Sequence, residues 1–150
     1  MLRTFLLLSL LLPAAAAYPA GHAAARESKV VCEVLLPAAP VPGDEGSYLI
    51  ILRLTVPPGH DSNRHFHAAA EYLEVVSGTG SVTIDGLGEL PLHAGDIVTI
   101  APKVQHQQHN HSGTEPLVFT ATLVGHVTDP MLTRYIGEPD KRSGCPHAHK

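Results

Sequence analysis

Residues 59–78 read GHDSNRHFHAAAEYLEVVSG, and this stretch decides both the fold and the direction of the chemistry. His65 and His67 stand two apart, so on a β-strand both side chains leave the same face. Glu71 follows four residues later, and Gly59 and Gly78 bracket the stretch. Two imidazoles beside a carboxylate make a mixed nitrogen and oxygen donor set suited to a divalent transition metal. A second stretch, GDIVTIAPKVQHQQHN over residues 95–110, supplies His106 after a β-type run that opens on Gly95-Asp96.

Outward from these two stretches the chain breaks into short runs rich in Val, Ile, Thr and Leu. Strands are expected over Lys29–Leu36, Tyr48–Val56, Glu71–Val76, Ser81–Asp85, Leu90–His93, Ile97–Ala101 and Leu117–Val124. Pro, Gly and Asp punctuate them at Pro37–Gly46, Pro57–Gly59, Gly78–Gly80, Asp85–Gly88 and Ala94–Gly95. No long 3.6-residue apolar period is present, and Asp129–Tyr135 is the one segment expected to form a turn or two of helix. The pattern is that of an all-β sandwich or barrel. Tyr48–Val56 is almost continuously apolar, which implies that both its faces are covered and hints at a homodimer.

The two histidine stretches resemble the cupin family. Its first motif is Gly, five residues, His-x-His, three or four residues, Glu, six residues, Gly. Gly59, His65, His67, Glu71 and Gly78 fill it without a gap. Its second motif is Gly, five residues, Pro-x-Gly, two residues, His, three residues, Asn. Gly95, His106 and Asn110 match, whereas Ala101 stands where Pro is usual and Lys103 where Gly is usual. Pro102 lies one position late, which keeps the ligand spacing and alters the turn.

This resemblance implies a single-domain jelly-roll β-barrel over 29–136 with a metal inside it. It assigns His65, His67, Glu71 and His106 as ligands of one Fe, Mn, Cu or Ni ion per chain, with Zn as a further option. Three imidazoles and one carboxylate leave open positions on a five- or six-coordinate ion. The expected activity is an oxygen-using oxidoreductase on a small organic molecule, of the kind that tailors natural products. The same ligands also serve non-redox decarboxylases and isomerases, and a secreted germin-like binding protein is a third reading. Arg53, Tyr72 and Gln105 are the candidate substrate-binding side chains; for Arg53 the competing reading is an edge arginine that reaches solvent. The remaining histidines are expected elsewhere: His109 faces away from the metal, His60 precedes the metal strand with the pocket mouth only its lesser reading, and His147 and His149 lie in a polar tail over 137–150.

Residues 1–17, MLRTFLLLSLLLPAAAA, have the layout of a secretory signal peptide: Arg3, a Leu-rich core, then small residues. Its apolar run falls short of the roughly 20 residues needed to span a bilayer. The expected product is a secreted protein with a loose arm over 18–28. Cys32 and Cys145 are the only cysteines, and in an oxidising compartment they are expected to pair. A net charge of −4 and a pI near 6.2 argue against nucleic-acid and anionic-membrane partners, and the cupin resemblance implies a small-molecule substrate. Asn110-His111-Ser112 is a glycosylation sequon expected to stay largely unoccupied, because its Asn lies near the barrel wall.

Overall fold

Alternation of apolar and polar residues gives each strand one face for the core and one for the outside, and two sheets form from it. The computed structural model describes residues 29–129 and 133–135; the expected leader, arm, tail and Cys145 lie outside the described residues. The strands are β1 (Val31–Val41), β2 (Asp44–Val56), β3 (His65–His67), β4 (Ala70–Ser77) and β5 (Thr79–Ile84), followed by β6 (Gly88–His93), β7 (Ile97–Ile100), β8 (His106–His109), β9 (Leu117–His126) and β10 (Thr133–Tyr135). They pair antiparallel in two five-stranded sheets, ordered β1-β2-β9-β4-β7 and β10-β3-β8-β5-β6. No helix occurs among the described residues, and the architecture is the expected all-β jelly roll.

The core lies between the sheets. Leu54, Val56, Leu73, Val75, Phe119 and Ala121 of the first sheet pack with Val82, Ile84 and Leu92 of the second. β4 and β9 show the period-2 rule most clearly: Glu71, Leu73 and Val75 are buried while Tyr72, Glu74 and Val76 are exposed. On β9, Leu117, Phe119, Ala121 and Leu123 are buried. Burying a side chain such as Leu73 or Phe119 stabilises the fold by about 1.5–3 kcal/mol.

Three local expectations differ from what is observed. β1 continues through Pro37 and Pro40 to Val41, where the sequence suggested a turn. It pairs only with β2, so it is an edge strand, where a missing N–H is tolerated, and its register shifts at three places. The four-residue β8, HQQH, carries no apolar residue to announce it and is held by pairing with β5. Thr133–Tyr135 is a strand rather than part of a helical turn; its backbone adds to the free edge of β3. Cross-strand pairing with the metal-motif strand therefore overrides local preference there.

Candidate metal centre

β3 presents His65 and His67 on one face, and pairing with β8 sets His106 directly opposite His65. Glu71 comes from β4 in the other sheet, so the four side chains converge between the two layers. Their ring centroids lie 4.9 Å (His65–His67), 4.2 Å (His65–His106) and 5.4 Å (His67–His106) apart. One nitrogen from each of the three imidazoles falls within 4.8 Å of the others. Glu71 Oε2 is 3.0 Å from His106 Nε2 and 3.6 Å from His67 Nε2. All four residues are buried.

The backbone fixes which ring nitrogen is available. His65 Nδ1 donates to the Asn63 carbonyl at 2.7 Å, and His106 Nδ1 donates to the Val104 carbonyl at 3.1 Å. His65 and His106 are thus held with the proton on Nδ1, which leaves Nε2 as the nitrogen turned toward the cluster and able to ligate. Neighbours on the same face are apolar: Ile84 pairs with His106, and Ile100 and Leu123 flank Glu71. Burial, reinforced by the adjacent imidazoles, pushes His65 down to about 3, and burial lowers His67 as well. Burial alone would raise Glu71, but contact with His106 and the charge of the three rings bring it down to about 2. His106 is raised, because Glu71 outweighs the burial that opposes its charge.

Glu71 Oε2 and His106 Nε2 are fully buried and make no hydrogen bond of proper geometry, although they stand 3.0 Å apart. Two adjacent ligands at about 2.1 Å from one ion, at right angles, would be separated by about 3.0 Å. Donor types, burial, fixed tautomers and this separation together fit a divalent transition metal held by His65, His67, Glu71 and His106.

Outside this quartet the structure sorts the remaining candidates. Arg53 and Tyr72 are not brought to the cluster: both alternate with core residues and lie on the outer face, Arg53 beside Glu33 at 3.8 Å. Gln105, half-buried just before β8, anchors the β5–β6 turn by accepting the Asp85 N–H at 2.9 Å through its carbonyl. His60 Nδ1 donates to the Pro58 carbonyl. His109 faces away from the metal cluster as expected, with Nδ1 3.0 Å from Asp61 Oδ1 and Nε2 2.9 Å from Thr83 Oγ1. Asn110 is buried, and its amide donates to the Val56 and Glu115 carbonyls at 2.9 Å each, which leaves the sequon nitrogen engaged. His147 and His149 lie outside the described residues.

One residue escaped the sequence reading. Gln108 is fully buried on the same face of β8 as His106; its Oε1 accepts from Ser62 Oγ at 2.5 Å, while its Nε2 has no hydrogen-bond partner. Counting by two from His106 would have found it.

The altered turn before His106 also has a clear form. Ala101, Pro102, Lys103 and Val104 make a type II turn, closed by Val104 N–H to the Ala101 carbonyl at 3.2 Å. Pro102 suits its second position. Lys103 takes the third with φ 65°, the only positive φ at a non-glycine among the described residues. Its N–H donates to the His67 carbonyl at 2.7 Å, so this turn braces the ligand strand. Replacing Lys103 with Gly should relieve about 1 kcal/mol of left-handed strain, partly offset by the entropy of glycine. A rise of a few degrees in Tm at unchanged metal content is the expected result; a fall in Tm would show that the turn carries no such strain.

Residues 52–124 match the family described as Cupin domain. No curated protein matches the chain. Among solved structures, a cupin-like protein from Thermotoga maritima is 22% identical, with 80% of this chain and 92% of that one covered at a TM-score of 0.57. A double-stranded β-helix protein from Klebsiella pneumoniae is 18% identical, covering 77% and 90% at a TM-score of 0.56. The DMSP lyase DddQ from Ruegeria pomeroyi is 19% identical at a TM-score of 0.54; 67% of this chain is covered, but only 49% of the lyase, about half its length. At these identities the likeness is one of fold.

Proposed function

We propose that the chain, whose residues 52–124 match a family model described as Cupin domain, is a metal-dependent oxidoreductase acting on a small organic molecule. The observation that carries the reading is the buried cluster of His65, His67 and His106, with Glu71 Oε2 3.0 Å from His106 Nε2 beside it. When bound there, a redox-active ion supplies open coordination positions that polarise substrate oxygens and admit dioxygen. The protein's own part is to orient His65 and His106 through the Asn63 and Val104 carbonyls, and to keep His65 and His67 neutral by burial. Ile84, Ile100 and Leu123 keep water from the ligands and strengthen the local electrostatics. Gln108 Nε2, a buried donor without a partner, is suited to orient an oxygen of the substrate. The leader-like residues 1–17 support placing this activity outside the cell, where a Cys32–Cys145 disulfide would be stable.

The test is oxygen uptake by metal-reconstituted protein offered phenols, β-diketones and oxalate, with and without dioxygen. Uptake matched to substrate loss, abolished in Glu71→Gln, is the expected outcome. Gln108→Leu should keep the metal yet lose about 10- to 100-fold in kcat/KM, since it removes a substrate hydrogen bond. Turnover that persists without oxygen would replace this reading with a decarboxylase or isomerase. A metal-loaded protein inert toward all three classes would favour a germin-like binding protein.

A further inference from the structure

Where the β1–β2 hairpin meets the end of β9, a cleft of about 410 Å³ opens, the size of a small-molecule site. None of the metal ligands lines it. Its apolar wall includes Ala39, Pro40 and Val127, and three polar side chains share the space: Glu45, Tyr48 and Asp129. Tyr48 is 6% exposed and lies over Gly125, its partner in the β2–β9 register. A Cβ on Gly125 would stand 2.5 Å from Tyr48 Oη, so the glycine makes room for the phenol. Among the described residues this hydroxyl has no hydrogen-bond partner. Burial and the charge of Asp129 hold the phenol above its usual value, so it stays protonated and its oxygen keeps lone pairs for a donor. Asp44 next door is satisfied, accepting the Gly46 N–H at 2.9 Å and Ser47 Oγ at 2.7 Å. The exposed Glu45 and half-buried Asp129 carboxylates make no such bond and no ion pair among the described residues. No described lysine or arginine lines the cleft.

We propose that this cleft binds a primary ammonium group carried on a short aliphatic chain. A primary ammonium has three N–H donors and no acceptor. The cleft offers the complement: the carboxylates of Glu45 and Asp129 and the oxygen of Tyr48, beside an apolar wall that suits an alkyl chain. Two like charges facing one space leave a negative potential there, which a cation relieves and an anion worsens. The half-buried Asp129 carries the larger share, because the exposed Glu45 is screened by solvent. Tyr48 adds the choice among cations: its buried oxygen gains a partner from a group that has an N–H to give, and gains none from a quaternary ammonium. The site shares no residue with the metal quartet and does not rest on the proposed activity.

The experiment titrates the isotope-labelled protein with n-butylammonium at low salt and follows its backbone amides by NMR. Saturable shifts are expected at residues 38–40, 45–48 and 125–129, with a Kd of about 1–10 mM. Butyrate should move none of them, and tetramethylammonium should bind at least about 5-fold more weakly. Glu45→Gln combined with Asp129→Asn should weaken butylammonium by at least about 10-fold, and Tyr48→Phe, which keeps the ring over Gly125, by about 3- to 10-fold. The His65→Ala/His67→Ala variant should bind as the unsubstituted protein does, which separates the cleft from the metal site. Circular dichroism checks that each variant is folded. Nα-acetyl-lysine methylamide, titrated in parallel, identifies the source: tighter binding than butylammonium points to a lysine side chain, weaker binding to a free amine, and either order keeps the ammonium site. Shifts absent from the cleft, butyrate binding equally well, undiminished affinity in the carboxylate or Tyr48→Phe variants, or binding lost with the two histidines would each overturn the proposal.

Discussion

His65→Ala combined with His67→Ala is expected to take metal content from near one ion per chain to less than about a tenth, in a protein that still folds. Loss of a group that merely orients a ligand costs 10- to 100-fold in affinity, so removing two ligands should exceed that range. The remaining pair, Glu71 and His106, would keep its 3.0 Å contact and hold a proton instead. His106 is raised by Glu71, so a proton shared between the two competes with metal for the same Nε2. Metal affinity should therefore rise with pH, by up to about tenfold per unit while one proton is displaced. Elemental analysis of untagged protein and a metal titration at three pH values check both parts. Full metal retention by the double variant would move the site elsewhere; a pH-independent affinity would show that His106 carries no proton to lose.

The quartet was legible because its logic is short-range. His65 and His67 share a face by parity alone, and Glu71 and His106 follow at spacings that the flanking glycines fix. Gly59, Gly78 and Gly95 all have positive φ, as turns at those positions require. What failed was parity applied unevenly. Tyr72 is adjacent to Glu71 and must face the other way on a strand, while Arg53 alternates with Leu52 and Leu54; both belong outside by the same rule that placed the ligands inside. Gln108, at even spacing from His106, belongs inside. Other features were beyond local reading. The Asn63 and Val104 carbonyls that set the tautomers are backbone atoms, which leave no mark in composition. β10 exists because β3 offers an edge, and the length of β1 reflects its place at the rim of the sheet.

Acid should destabilise the metal-free protein well before ordinary carboxylates titrate. His65 falls from an ordinary value of 6.5 to about 3 in the fold, and His67 is also lowered. Between those values the unfolded chain binds protons that the folded chain refuses, so stability is lost as pH falls below 6.5 and the loss is complete near pH 3. Glu71, lowered from 4.5 to about 2, adds a second loss beginning below pH 4.5. His106 acts in the opposite sense: its raised value contributes stability below pH 6.5 that disappears as pH rises through its folded value. At about 1.4 kcal/mol per unit of displacement, the His65 contribution amounts to about 3 kcal/mol and a fall in Tm of roughly 10 °C between pH 7 and pH 4, and His67 acts in the same direction. The His65→Ala/His67→Ala variant lacks both groups and should show a clearly flatter profile over the same range, which separates their effect from that of the other carboxylates. Bound metal should protect near neutrality and lose its effect as protons compete for the same nitrogens. A metal-free protein whose Tm is unchanged from pH 7 to pH 4, or a double variant as acid-sensitive as its parent, would mean that these imidazoles are not held neutral by the fold.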